Sequence, residues 1–593
     1  MSPASAAADI SLIPRLFLTG TDQVLDLAGR NYYVFGIPVF DPFIYRFLKS
    51  DQNSKNSRAG NPAPTFQASE SDHRKNLGRN PDPAMKFKPV GLLSDCTAAG
   101  AYVNFRIQRE AWAEVVLKRI FFKDTSYDQS SEGEGKRVLI EFSSPNIAKP
   151  FHVGHLRSTI IGNALCQIFE RRGYQVLRLN HLGDWGKQFG EVITAFKRWG
   201  NLDQLETQPL KHLLEVYNRF HHESEDDEAL HEEARAWFKK LEEGNSEARA
   251  LWGRFRAISV EEFKRLYSLL GITFDSYEGE SFYQDRLPAL IDRMRGAGLL
   301  EESQGAWIVP LETYQMPPAL ILKKDEATLY LTRDIAAAEY RFQKWNFAKM
   351  IYVVGVPQKL HFQQLFKVLD LMGYEWSKRL VHVDFGHVLG MSTRRGEVVF
   401  LQDVVDEAVQ RAERVIEERG EDKEARIGKI AAEERKNIAR AVGLGAIIFN
   451  DLRTKRTKEV EFDWERILGF EGATGPYCQN AHVRCCGIMR KYHGEVTLTV
   501  DYGVLASDEE FNLLKRLGEL PEILRRAAEE YEPSLIAVYM LELAMTFNGF
   551  LARHRVLGEE KRATQARVLL TQGVKRVLAI CLRILGIEAL ERM

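Results

Sequence analysis

The chain has 593 residues, 45% hydrophobic and 27% charged, with 81 basic against 82 acidic side chains and a net charge of −1. That length excludes one ordinary core and implies about three to four domains. The composition is that of a globular protein, and the charge balance decides nothing about nucleic acid, because a neutral protein can carry one basic face.

The first 30 residues set Asp9, Asp22 and Asp26 against Arg15 and Arg30. Transit peptides avoid acids, so the cytoplasm is expected, with the mitochondrial matrix as the alternative. Residues 51–84 are polar and rich in Asn, Ser and Pro, which reads as a loop without a packed core. A strand is predicted over 101–107 (AYVNFRI) and a helix from there to about Phe122, so 1–125 forms a small α+β domain. From Lys136 the pattern alternates. Strands are predicted at 137–142, 174–180, 350–356 and 380–386, and helices at 154–171 and about 359–372. Strand, helix, strand in series means a parallel, doubly wound sheet. This multidomain α/β reading gives 126–395 to the doubly wound domain, with a mostly helical, charged insertion at about 201–325. After Gly396 the strands nearly stop, and 396–593 is predicted to be an all-α domain punctuated at Gly420, Gly475-Pro476, Pro521 and Pro533. No apolar run approaches the roughly 20 residues of a membrane helix; the best, 441–449, reads as a buried helix. None of the cysteines (Cys96, Cys166, Cys478, Cys485, Cys486, Cys581) forms a CxxC pair, so no structural zinc is expected.

The stretch 141–157, EFSSPNIAKPFHVGHLR, places His152 and His155 around Gly154 where a strand hands over to a helix. In a doubly wound sheet, ligands sit beyond the carboxyl ends of the strands. A helix N-terminus there favours an anion, and a glycine lets it approach the backbone. Two imidazoles then suit a triphosphate. Two other readings stand beside this one. The histidines cap a helix, or they bind a metal, although residues 156–160 bring no third ligand and Arg157 opposes a cation.

The sequence resembles the class I aminoacyl-tRNA synthetases, specifically the arginyl-tRNA synthetase family. His152-Val153-Gly154-His155 looks like the HIGH signature, and EFSSPNIAKPFHVGHLRSTIIGN with NHLGDWGKQFG is far more specific. The likeness covers nearly the whole chain, weakest in 1–90 and in the insertion. It implies a Rossmann-like catalytic domain, a helical anticodon-binding domain, and an N-terminal domain that meets the outer corner of tRNA. It also implies ATP-dependent activation of arginine and its transfer to the 2′-hydroxyl of the terminal adenosine of tRNA(Arg). ATP with Mg2+, L-arginine and tRNA(Arg) would be the ligands of a monomer with no membrane partner. The mobile KMSKS loop of the family reads here Gly390-Met391-Ser392-Thr393-Arg394-Arg395-Gly396. No lysine occurs in it, so Arg394 or Arg395 would hold the pyrophosphate, and Lys149 is the substitute catalytic charge beside His152 and His155. ATP would meet Gly154, His152, His155, Met391, Ser392, Arg394 and Arg395.

Arginine carries a guanidinium that keeps its proton, so its pocket needs carboxylates. Tyr330 and Asp334, four apart, share a helix face. The family's substrate contacts match Asn146, Tyr330, Asp334 and Gln358, and Glu141 matches a further pocket acid. Asp334 is assigned to the guanidinium, Asn146 and Gln358 to the α-amino and carboxylate end. Singly, each has a bland reading, such as a helix cap for Asp334. The run 221–244, with His221, His222, Glu223, Asp226 and His231, reads as a solvated face rather than a metal site.

Basic patches at Arg453, Lys455, Arg456 and Lys458, and at Arg484, Arg490 and Lys491, would neutralise RNA phosphates. Tyr477 and the last helix, down to Met593, would meet unstacked bases. Two rivals remain: a small-molecule nucleotidyltransferase with an HxGH site, and a non-catalytic RNA-binding paralogue.

Overall fold

The computed structural model describes residues 23–25, 31–33, 92–99, 102–122, 127, 129–147, 151, 153–324, 327–389, 400–421, 431–469, 471–558 and 560–593. The polar run 51–84, Lys149, His152, and the stretch with Met391, Ser392, Arg394 and Arg395 lie outside them. The chain divides into two compact units. One holds Met1–Asp124, Gly494–Glu522 and Phe550–Gly573; the other holds Thr125–His493, Ile523–Gly549 and Val574–Met593.

In the first unit, β1 (Gln23–Leu25), β2 (Asn31–Tyr33), β3 (Leu93–Ala99) and β4 (Tyr102–Ile107) form one sheet in the order β1-β2-β4-β3. Helix α1 (Arg109–Phe122) follows. It buries Trp112, Val116, Leu117 and Ile120, positions at helical spacing that leave polar residues outside. A Cβ on Gly518 would come within 2.8 Å of the Trp112 ring, so that neighbour has to be glycine.

The second unit is built on β5 (Arg137–Glu141), β6 (Gln175–Leu179), β10 (Lys349–Gly355) and β11 (Leu380–Phe385), all parallel, in the order β11-β10-β5-β6. The apolar runs explain this. Val138, Leu139 and Ile140 are fully buried, as a strand covered on both faces requires. Helix α2 (Val153–Arg171) crosses from β5 to β6. It lies so close to the strand end that a Cβ on Gly162 would meet the Phe142 side chain at 2.2 Å.

The insertion is helical in α3 (Lys187–Trp199), α4 (Leu202–Thr207), α5 (Pro209–Glu223), α6 (Glu228–Glu242), α7 (Ser246–Leu269) and α8 (Leu287–Gly296). It also holds strands, as a mostly helical insertion allows. The strands β7 (Glu301–Ser303), β8 (Ala306–Val309) and β9 (Ala319–Leu322) form an antiparallel sheet before α9 (Tyr330–Trp345) returns the chain to β10. These strands are three or four residues long, too short for alternation to register in sequence. Helix α10 (Lys359–Leu371) joins β10 to β11.

Beyond β11, β12 (Val388–Leu389) pairs with β13 (Val460–Glu461) across helices α11 (Leu401–Glu421) and α12 (Ala432–Leu452). Then come α13 (Trp464–Ile467), α14 (Gly475–Lys491), α15 (Asp508–Glu529), α16 (Ser534–Arg553) and α17 (Lys561–Ile584). Pro476 stands in the first turn of α14, with Thr474 capping it, as the punctuation suggested. Pro521 does not end a helix; it lies inside α15. The reading of apolar runs also needs correction, because α16 is long and apolar enough to cross a membrane. Ile536, Ala537, Met540, Leu543, Ala544 and Phe547 on it are completely buried, whereas Val538 and Met545 are exposed. Cys166, Cys478, Cys485, Cys486 and Cys581 are free thiols in the interior, acting as small apolar side chains.

Candidate active site

Leaving β5, the chain goes to β6 on one side, and β10 then pairs on the other. This makes a topological switch point between β5 and β10, the usual ligand crevice of such sheets. Glu141 and Tyr352 stand in register across it. Just beyond Glu141, Ser143 and Ser144 adopt positive φ values of 68° and 45°. Side chains rarely hold that region, so the turn is strained and must be held by its surroundings. Ser143 N–H donates to Ser158 Oγ at 3.0 Å, and Ser158 Oγ–H donates to Val353 O at 2.7 Å. The Ser143 hydroxyl lies 2.7 Å from the Tyr267 hydroxyl, which also accepts from Asn180 Nδ2 at 2.9 Å. Thr159 Oγ1 lies 2.8 Å from Ser143 Oγ and donates to His155 O at 2.7 Å. This buried network fixes the start of α2, where Gly154 is exposed and His155 half-buried, its ring 5.1 Å from that of Phe151.

A chain of charges runs behind the crevice. Glu141 is buried, with Oε2 2.5 Å from Arg341 Nη1, an ion contact rather than an aligned hydrogen bond. Arg341 Nη2 donates to His181 Nδ1 at 3.2 Å, and His181 Nε2 lies 3.6 Å from Asp334 Oδ1. On the other side, His361 Nε2 meets Asp334 Oδ2 at 2.6 Å. Burial opposes the Asp334 charge, but the bond from His361 and the charges of His361, His181 and Arg341 hold its carboxyl below the usual range. Burial also opposes a charged His361, but Asp334 and Glu141 raise it above the ordinary imidazole value. Nearby, Glu280 pairs with Arg333 at 2.8 Å. Burial, with the neighbouring charges of Asp334 and Asp184, still pushes its carboxyl up to about 8. Asp184, of the GDWG stretch, is fully buried. It takes bonds from Arg256 Nε at 2.7 Å and from the Ser281 N–H and hydroxyl, each at 2.8 Å, which ties the insertion to the turn after β6.

The fold thus gathers Glu141, Asn146, Gly154, His155, Tyr330, Asp334 and Gln358 around the strand ends. Asn146 bridges to Gly183 after β6. Tyr330 is exposed at the first position of α9, so Asp334 sits in its second turn and is not a helix cap. Gln358 is exposed in the turn opening α10. His152, Lys149, Met391, Ser392, Arg394 and Arg395 fall outside the described residues. Arg157 does not face the crevice as a free cation. It is 1% exposed and donates to His387 O and Arg456 O at 3.1 and 3.0 Å, with Asp451 3.6 Å from Nε. Sequence reasoning missed His181, His361, Arg341 and Glu280. Their one local signal was proximity to singled-out segments: His181 in NHLGDWG, and His361 one turn after Gln358.

Among the RNA candidates, Lys455 and Arg484 are exposed, and Arg484 donates to Asn548 Oδ1 at 2.7 Å. Tyr477 and Met593 are half-buried. Arg453 donates to Ala473 O at 2.8 Å. Arg456 is held inside, 2.5 Å from Asp384 Oδ1 and 4.0 Å from Glu532 Oε2. In the insertion, the His221 ring lies edge-on to Tyr217 at 4.4 Å and 3.8 Å from Glu191. Among the described residues, no three His, Cys, Asp or Glu side chains are grouped to hold a metal.

Residues 116–464 match the family described as tRNA synthetases class I (R), catalytic domain, and residues 478–593 match the DALR anticodon binding domain. The chain is 45% identical over 86% of its length to an arginine–tRNA ligase of Halothermothrix orenii, covering 89% of that protein, and equally to one of Clostridioides difficile. It is similar to the solved arginyl-tRNA synthetase of Thermus thermophilus (TM-score 0.73, 26% identity, 85% of this chain and 89% of that one). It is also similar to that of Plasmodium falciparum (TM-score 0.71, 27% identity, 85% and 86%).

Proposed function

Because the chain belongs to the class I arginyl-tRNA synthetase family, we propose that it is an arginine–tRNA ligase whose amino-acid pocket lies between the ends of β5 and β10. The enzyme joins L-arginine to AMP at the expense of ATP and passes the arginyl group to the 2′-hydroxyl of the terminal adenosine of tRNA(Arg). The observation that carries the pocket is Asp334. It is a partly exposed carboxylate, held ionised by two imidazoles, at the switch point of a parallel sheet. An ionised carboxylate in a low-dielectric crevice is the acceptor a permanent guanidinium requires.

In this reading Asp334 takes the guanidinium and Tyr330 covers it, while Asn146 and Gln358 hold the α-amino and carboxylate end. Glu141 acts from behind, through Arg341 and His181. The arginine carboxylate attacks the α-phosphorus in line, the bond to the bridging oxygen breaks, and pyrophosphate leaves. The role of the protein is positioning and charge stabilisation, with no nucleophilic side chain. Gly154 and His155 at the start of α2, with His152 and Lys149 just before them in sequence, receive the phosphates. Met391 and Ser392 hold ATP, and Arg394 and Arg395 the departing pyrophosphate. Mg2+, carried in with ATP, would supply neutralisation of phosphate charge; among the described residues no three His, Cys, Asp or Glu side chains are grouped to hold it.

Residues 396–593 serve as the anticodon-binding domain, with Arg453, Lys455, Tyr477, Arg484 and Met593 on its RNA side, while Arg456 is turned inward to Asp384. Residues 1–125 meet the outer corner of tRNA, and the enzyme works as a cytoplasmic monomer. A small-molecule nucleotidyltransferase would have no use for the DALR match at 478–593. Arginine-dependent ATP–pyrophosphate exchange in the presence of tRNA tests the proposal. Exchange no greater with arginine than with lysine would overturn it.

A further inference from the structure

We propose that His361 is a positioning residue for Asp334 and that arginine binding drives a proton off it, so that substrate recognition is proton-linked. The inference rests on the assignment of Asp334 to the guanidinium.

Asp334 has both oxygens committed before substrate arrives, and unequally. His361 Nε2 is at hydrogen-bond distance, 2.6 Å from Oδ2, whereas His181 Nε2 stands 3.6 Å from Oδ1 and has no hydrogen-bond partner. His181 Nδ1 is engaged from behind, 3.2 Å from Arg341 Nη2 and 3.3 Å from the Glu278 carbonyl oxygen, which turns Nε2 toward Asp334. His361 meets Asp334 through Nε2 at the shorter distance, and its protonation state decides what that contact does. As imidazolium it makes an ion pair with Asp334 that competes with an incoming guanidinium and repels it. As neutral imidazole with its proton on Nε2, it still donates to Oδ2, holds the carboxylate in place, and leaves the charge of Asp334 for the ligand. Arginine therefore selects the neutral form.

The groups around His361 set where this happens. Asp334 on α9 and Glu141 on β5 favour the imidazolium. His181 and Arg341 stand on the far side of Asp334 and draw on the same carboxylate. Lys359 lies on its own helix, and the Phe362 ring, 5.3 Å away and edge-on, adds no charge. His361 is raised above the ordinary value, so a fraction carries the proton at neutral pH in the empty site. A bound guanidinium lowers that value again, and affinity rises with pH between the two. Glu280, pushed up to about 8 and coupled to Asp334, is a second proton source that has to be separated.

The test is calorimetry of arginine binding to the full-length chain at pH 7, in buffers of different ionisation enthalpy, with the dissociation constant followed from pH 6 to 8.5. Wild type, His361→Asn and Glu280→Gln are compared, and His361→Gln replaces the asparagine variant if that fails to fold. Both amides can donate to Asp334 but cannot titrate. Wild type should bind arginine about 3- to 10-fold more tightly at pH 8 than at pH 6, within the tenfold-per-unit ceiling of one proton. His361→Asn should still bind, release fewer protons at pH 7, and keep only the dependence centred near 8; Glu280→Gln should keep the His361 part. Equal proton release and equal slopes in wild type and His361→Asn overturn the inference while leaving Asp334 in place. No arginine binding by wild type at any pH, with or without tRNA, overturns the pocket assignment itself.

Discussion

Glu141 and Asp334 look alike in sequence, two carboxylates beside one sheet, yet their surroundings give them different work. Glu141 is buried against the chain's own Arg341, so its charge is already matched. Among the described residues, the side chains paired with Asp334 are the imidazoles of His181 and His361, and a guanidinium is the stronger cation. Glu141→Ala would leave Arg341 buried and unpaired and should cost about 3–5 kcal/mol in urea unfolding; a loss under 1 kcal/mol would show that the pair is not needed. Asp334→Asn should lose the ionic part of the bond to His361, at a cost of about 1–3 kcal/mol in unfolding, and lower kcat/KM for arginine about 10- to 150-fold, the range of one charged hydrogen bond. Unchanged kinetics would remove Asp334 from the pocket. The spacing of Tyr330 and Asp334 on one helix was legible, because a period of 3.6 is a local property. His181, His361 and Arg341 were not, because only the register of β10 on β5 and the packing of α9 against α10 bring them to Asp334.

At the scale of elements, the turn from β5 into α2 carries the strain and the close packing that position the histidine segment. Hydrophobic runs made the four parallel strands and the helices α2 and α10 readable to within a residue or two. The left-handed Ser143 and Ser144 left no trace in sequence, since their partners Tyr267 and Asn180 come from distant segments. Gly162→Ala puts a methyl into the Phe142 side chain and should destabilise by about 1–3 kcal/mol, seen as a lower Tm; an unchanged Tm would mean α2 can shift freely. The contact of α9 with α10 also has a pH signature. The value of His361 is raised in the fold, so its contribution to stability is full below about 6.5 and fades as pH rises through the raised value. The Tm advantage of wild type over His361→Asn, measured without arginine, should therefore shrink from pH 6 to pH 8.5. An advantage that grows over that range would contradict the bond to Asp334.

Over the whole molecule, alternation of strands with helices, then helices alone, announced the class of architecture, and the family match agrees with it. Surface function was less legible. A run such as DLRTKRTKEV reads as one basic patch, yet Arg456 points inward to Asp384 and Glu532 while Lys455 faces solvent. Sequence counts charges but not the direction in which long side chains point. Lys455→Ala and Arg484→Ala should each weaken tRNA binding and lower the slope of log affinity against log salt by a little under one. Arg456→Ala should instead act through stability with the salt slope unchanged. The reverse ranking would move the RNA surface elsewhere.

The central claim is that arginine is activated on Asp334 at the β5–β10 switch point. Arginine-dependent ATP–pyrophosphate exchange with tRNA present, in wild type and in Asp334→Asn, tests it most directly. Exchange in wild type that arginine supports and lysine does not, lowered about 10- to 150-fold in Asp334→Asn while the variant stays folded and still binds tRNA, is the expected result. Full exchange by Asp334→Asn, or none by wild type with arginine, would contradict it.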